Sequence, residues 1–350
     1  MSRFRFIARA AAACLAAVLL ASGATAQTQS PVAAPPEYRR GAEQTFLTVP
    51  EWFLVHSPDE YAQFIKTRPP SEFPYFGHIA QFWQTYGAVY NATKNGYPFN
   101  AGYHVMVTVI GASTTVEYGL KAAYETLIGR LTELTRTEGM TEEDAFAARV
   151  AQDYVDFVRV IPWYEYDFGL RLRELWETSL WGPDPIRKWE RKYALTTEYA
   201  AKAIYAWVIK KLTKMSYDEP LPVTAVLIDH LPPVSHAELP ELSVLKEFSD
   251  GSVLVTVPRY YPFTHYASAL ARDGATFQEI AGNRGEIVVS ALVPTTWESG
   301  YSSFRIFLTQ PILTQPGTKR IVLAVPVKSL GETLNQLGRP PARIEHVYDY

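Results

Sequence analysis

The hydrophobic period of this chain changes once, near Pro220, and that change divides what the chain can become. Up to about residue 215 apolar and aromatic residues recur three and four positions apart, the spacing of a buried helix face. Ile79, Phe82, Trp83, Tyr86 and Tyr90 form one such face, ended by Gly96 and Pro98. A long helix is expected over 101–135, another from Thr141 and Asp144 with Phe146, Val150, Tyr154, Phe157 and Val158 inside, and two more over 164–179 and 185–215. Ser57, Pro58 and Glu60 have the order of a helix start, with Ser57 as cap and Pro58 in the first turn. The run Tyr217-Asp218-Glu219-Pro220-Leu221-Pro222 breaks the pattern, which sets a boundary between a helical, aromatic-rich region (43–218) and a C-terminal region (219–350).

Beyond that boundary the chain reads as short runs rich in valine and isoleucine, bounded by proline and glycine: 223–228, 253–257, 286–293 and 320–325. Two stretches look like copies. Val257-Pro258 ends a strand, a helix follows over 262–272, Gly274 stops it and a strand returns at Thr276. Val325-Pro326 ends another strand, a helix carries Leu330, Leu334 and Leu337, Gly338 stops it, and Ile344, His346 and Tyr348 alternate in a last strand. Asn283-Arg284-Gly285 is expected to turn a hairpin between the halves, with 294–318 as an insertion that holds a strand near 304–308. Two β-α-β units around a hairpin resemble the ferredoxin-like superfold, an antiparallel sheet with helices on one face. The fold class expected for the chain is therefore α+β, helical first and ferredoxin-like last; that superfold serves many unrelated functions, so it implies none here.

Within the helical region a single segment occurs twice. TTVEYGLKAAYETLIGRLT begins at Thr114 and TTEYAAKAIYAWVIKKLT at Thr196, and with one residue dropped the Glu-Tyr, Lys-Ala, Tyr, Ile and Leu-Thr positions align. Glu117 and Lys121 are one helical turn apart, as are Glu198 and Lys202, in the order that favours an ion pair. A duplicated core helix needs only its apolar positions. Here the charges are repeated too. The pairs are either surface ion pairs worth about 0.3–0.5 kcal/mol each, or a half-buried seam that holds a cation or polar ligand, with His104 a further candidate on the same helix. A third reading places helices around 102–130 and 196–214 in a bilayer, since no basic residue occurs between Lys94 and Lys121.

The first 26 residues have the order of an export signal: Arg3, Arg5 and Arg9, an apolar stretch over 10–21, and Ala24-Thr25-Ala26 before Gln27. That makes the expected location outside the cytoplasm, periplasmic or bound to a bacterial envelope. The single cysteine, Cys14, falls inside the signal, so the mature chain is expected to carry no disulfide. Residues 27–42 are polar and proline-containing and are expected to be a disordered leader. A net charge of −3 gives no basic footprint for nucleic acid.

Motifs for zinc proteases, nucleophile elbows and phosphate loops do not occur, and neither a cofactor nor a metal is expected. Glu51, His56 and Asp59 stand close in sequence beside Trp52 and could serve acid–base chemistry. Trp163, Trp176, Trp181 and Trp189 form a tryptophan-rich stretch that, if exposed, would meet a sugar, a lipid headgroup or a partner. The leading expectation is a non-catalytic envelope protein that binds a protein or small-molecule partner. An exported hydrolase using carboxylates of the helical region, and a protein in peripheral or partial contact with a membrane, are the alternatives. An exposed apolar patch would mark the binding module and a pocket with convergent carboxylates the enzyme.

Overall fold

The computed structural model describes residues 32–137, 139–216, 221–233, 237–300 and 303–349. The expected signal, Cys14 and the start of the leader lie outside the described residues, as do positions 217–220 of the expected boundary. The helical region contains α1 (Gln44–Glu51), α2 (Phe53–Phe64), α3 (Tyr75–Thr93), α4 (Ala101–Tyr124), α5 (Glu142–Val158), α6 (Phe168–Glu177) and α7 (Pro185–Ser216). A π-helical turn, Glu125–Gly129, and one more α-turn, Arg130–Glu133, extend α4. Asn100, Thr141 and Asp167 cap α4, α5 and α6 by accepting backbone N–H bonds from Tyr103, Asp144 and Leu170.

Ser57 is not a cap. Helix α2 runs straight through Pro58, because the turn beginning at Phe53 is already helical and Trp52 is its joint with α1. The Ser57 hydroxyl instead turns inward to two side chains described below.

The C-terminal region holds β1 (Val223–Ile228), β2 (Ser243–Glu247), β3 (Val253–Pro258), α8 (Tyr261–Arg272), β4 (Phe277–Ile280), β5 (Glu286–Pro294), β6 (Arg305–Pro311), β7 (Thr318–Pro326), α9 (Leu330–Leu337) and β8 (Arg343–Val347). These make two antiparallel four-stranded sheets, ordered β2-β3-β1-β4 and β6-β7-β5-β8. Each pairing of the first sheet has its counterpart in the second: β1 with β3 and β4 as β5 with β7 and β8, and β2 with β3 as β6 with β7. The chain has therefore repeated a β-β-β-α-β unit, larger than the β-α-β unit legible in the sequence. The stretch expected to be an insertion, 294–318, carries β6, an integral strand.

The expected hairpin at Asn283 does not form, since β4 and β5 belong to different sheets. Ala281 and Gly282 take positive φ, and the Ala281 N–H bonds back to the Ala225 carbonyl, which turns the chain out of the first sheet. Asn283 then fixes the exit by accepting from the Gly285 N–H and donating to the Glu286 carbonyl.

Alternation gives each sheet two apolar faces. The inner faces (Val226, Ile228, Val253 and Val255 from one, Ile287, Val289, Ile321 and Leu323 from the other) share one core with α8 and α9. The outer face of the second sheet, Val288, Val322 and Ala324, is buried under Phe46, Leu47, Val49 and Trp52 of the helical region. The outer face of the first sheet, Ala225, Leu227 and Leu254, packs on Ala34. Residues 32–42 are thus not a disordered stretch: the Glu279 carboxylate accepts the Ala33 and Ala34 N–H groups, and the Ala281 carbonyl accepts that of Arg40. Unpaired sheet surface needs a cover, and this segment supplies it.

Candidate functional site

The two repeated segments are neighbours. Helices α4 and α7 run antiparallel, and their four charges close into a ring. Lys121 Nζ lies 3.3 Å from Glu117 and 2.8 Å from Glu198, and Lys202 Nζ lies 3.1 Å from Glu117 and 2.8 Å from Glu198. Each lysine also faces an aromatic ring, Lys121 over Tyr61 at 5.2 Å and Lys202 over Tyr154 and Phe168 at 5.6 Å. Burial alone would raise the Glu198 carboxyl; Lys121 and Lys202 outweigh it and hold the group well below the usual carboxylate range. Glu117 is lowered by the same balance, and burial is likewise outweighed at both lysines, which are raised.

A ring of two cations and two anions is internally neutral, and every charge in it is spent on a neighbour. That favours a clasp between helices over an ion site. Replacing Glu117 and Glu198 by Gln, singly and together, is expected to give a coupling of about 0.5–3 kcal/mol in a double-mutant cycle read by chemical denaturation. Glu117 is 40% exposed, so screening draws the value toward the lower end. Additive losses would show two unconnected pairs.

The clasp continues along the seam. Arg187, Lys188, Arg191 and Lys192 occupy one inward turn of α7 and are all buried. The Arg187 guanidinium meets Asp144 at 2.9 Å, Glu190 at 3.2 Å and Glu133 at 3.3 Å. Lys188 meets Glu143 at 2.8 Å, and Arg191 meets Glu125 at 2.9 Å. Glu125 opens the π-turn; such a turn adds one residue to the helical repeat, and here buried Glu125 precedes exposed Leu127 and Ile128.

The second candidate cluster separates. Glu51 accepts from the Tyr103 hydroxyl at 2.9 Å, His56 lies 3.4 Å from Glu345, and Asp59 lies 3.3 Å from Arg159. What forms instead is a buried polar cluster where α2 and α3 meet β7 and β8. Arg320 bonds Glu345 at 2.6 and 2.8 Å and Glu60 at 3.2 Å. His78 Nδ1 is 2.9 Å from the Ser57 hydroxyl, which is 2.7 Å from the Tyr118 hydroxyl, and His78 Nε2 faces Glu60 at 3.6 Å. Trp52 stacks on His346. Burial lowers His56 to about 4 and His78 to about 3, and raises Glu60 to about 7 against the pull of Arg320. Burial would raise Glu345 too, but Arg320 brings it down to about 2.

Serine, histidine and carboxylate in contact have the order of a nucleophile chain. Ser57 and His78 are each 1% exposed, and Phe73 stacks on the imidazole at 4.5 Å. The geometry joins the helical and C-terminal regions and offers no approach to a substrate. His104 is also structural: it stacks on Phe99 at 4.6 Å and meets the Tyr86 hydroxyl at 3.1 Å.

A cleft of about 200 Å³, lined by Met140, Trp181, Asp184 and Lys188, falls below the usual volume of a small-molecule site. Among the described residues, no group of three His, Cys, Asp or Glu could hold a metal ion. The outer surfaces of α4 and α7 are more informative. Val105, Val109, Val116, Leu120, Leu127, Leu131 and Leu134 are exposed along α4 and its extension, several by more than 60%. Ile186, Trp189, Tyr193, Ile204, Trp207 and Val208 are exposed along α7. The Ser113–Tyr205 hydroxyl contact at 3.0 Å bridges the two stripes. Among the described residues no helix is long and apolar enough to cross a membrane.

In comparisons of the chain with protein families, with curated proteins and with solved structures, nothing matches.

Proposed function

We propose that this is a non-catalytic interaction protein of a bacterial envelope, and that the apolar face of α4 and α7 is its binding surface. The observation that carries the reading is the apolar stripe exposed on one side of both helices, while the carboxylates of the two helices are all paired. A protein surface seldom leaves so many large apolar side chains of two neighbouring helices uncovered on one side without a binding role. The export signature in residues 1–26 supports the location. The ring of Glu117, Lys121, Glu198 and Lys202 then holds the two halves of the surface in register and is not itself a ligand site. In the C-terminal region, we read each four-stranded unit as a ferredoxin-like sheet with one crossover helix replaced by a loop, a supporting body beneath the helices.

The test is a variant with Val116, Leu120 and Ile204 each replaced by Glu. These side chains point outward, so far-UV circular dichroism and the thermal midpoint should stay near those of the parent. The parent is expected to be retained on a phenyl matrix and to brighten the dye ANS, and the variant to lose most of both, whatever the natural occupant of the face. Equal retention and equal dye binding by the two proteins would overturn the reading.

A further inference from the structure

We infer that the occupant of the α4–α7 face is the surface of an anionic phospholipid bilayer, on which the two helices lie flat. This rests on the reading of the face as an interaction surface and names what it meets. The apolar residues occupy one side of two antiparallel helices, and the opposite sides carry the buried ion pairs. A one-sided helix pair that is too polar within to cross a bilayer is suited to lie in its interface, with the apolar side sunk about 5–10 Å. Trp189, Trp207 and Tyr193 on this face have the amphipathic rings that settle at headgroup level.

Charge selects the same occupant. Among the described residues of α4, its extension and α7, every carboxylate is engaged by a lysine or arginine: Glu117 and Glu198 in the ring, Glu125, Glu133 and Glu190 by arginines. Among the side chains described on these helices, the charged ones left exposed without an ion-pair partner are Arg130 near one end of the face and Lys211 near the other, both basic. Anionic headgroups complement them. A second copy does not, because a twofold contact sets the same face against itself, and this face has no spare acid to offer its own Arg130 or Lys211.

The experiment is flotation of the purified chain, residues 27–350, with phosphatidylcholine vesicles, with and without one third phosphatidylglycerol. Binding is expected to the phosphatidylglycerol vesicles and to weaken with salt. Replacing Arg130 and Lys211 by Gln should reduce partitioning about fivefold for each charge. Replacing Val116, Leu120 and Ile204 by Glu should abolish it. Absence of flotation with phosphatidylglycerol, or flotation unchanged by the Val116, Leu120 and Ile204 substitutions, would overturn the inference. A discrete dimer by sedimentation, with no lipid binding, would overturn the bilayer while leaving the face as an interaction surface.

Discussion

Replacing Arg187 by Met should cost about 3–5 kcal/mol, the largest loss expected from a single change in this chain. The side chain is 1% exposed and sits among Asp144, Glu133 and Glu190. It also donates to the Gly129 carbonyl at 3.2 Å, which ties α7 to the π-turn at the end of α4. Met fills much of the volume but leaves buried Asp144 without its cation, while Glu133 keeps Arg136 and Glu190 keeps Arg191, and an uncompensated buried charge is costly. Urea denaturation of the parent and the variant measures the loss. A difference below about 1 kcal/mol would mean that Lys188 or another neighbouring cation can take over Asp144. Arg187→Lys keeps the charge and loses the fork, so it should fall between the two.

The second large effect is on pH. His56 and His78 titrate near 6.5 in an unfolded chain, and burial brings them to about 4 and about 3 in the fold. Between those values the unfolded state holds more protons, so stability falls as pH falls below 6.5. Glu60 acts in the opposite sense. Burial raises it from 4.5 to about 7, so its contribution is full below 4.5 and lost as pH rises through 7. His56, His78 and Glu60 together leave a net difference of about one proton between pH 6.5 and 4.5, or about 1.4 kcal/mol per pH unit; His346, lowered by burial, adds to the fall, and Glu51 and Asp349, raised by burial, oppose it. Stability should therefore peak near neutral pH and fall by roughly 2–3 kcal/mol by pH 4.5. Glu345, held near 2 by Arg320 after burial is overcome, adds its own loss below its ordinary 4.5. Denaturant midpoints at half-unit steps from pH 8 to pH 4 test this. A decline that begins only below pH 4.5 would assign acid sensitivity to the carboxylates and clear the histidines.

Much of the helical region is legible in the sequence because its information is local. The doubled Glu-Tyr-x-x-Lys pattern marks four charges that do meet, and the period change near Pro220 marks where helices give way to strands. What cannot be read depends on partners far along the chain. Ser57-Pro58-x-Glu60 has the composition of a helix start, yet Ser57 bonds His78 and Tyr118, which no local pattern announces. Glu60 and Arg320 are 260 residues apart, so the seam cluster has no sequence signature. His56 stands out in the sequence for its neighbours Glu51 and Asp59, whereas in the fold it faces Glu345. Strand β2 leaves no trace because all five of its residues are exposed, so there is no apolar alternation to find. Its counterpart β6 is mostly exposed too and reads as an insertion for the same reason, which hides one of the two strands by which the repeated unit exceeds β-α-β.

The covers of the two sheets bear on the order of assembly. The segment that shields one sheet and the helix that shields the other stand at positions 32–51, while the strands they shield finish near position 348. Ala34 is held by Glu279, 245 residues away, and the Thr45 hydroxyl donates to the Tyr348 carbonyl, 303 residues away. The helices between Phe64 and Ala206 can pack among themselves, but neither residues 32–51 nor the sheet faces they cover can be buried until partners far along the chain exist. Contacts of such separation form late and slowly. The seam between the helical and C-terminal regions is thus the last part to close, and its closure needs residues 32–51 and 343–348 to be present together.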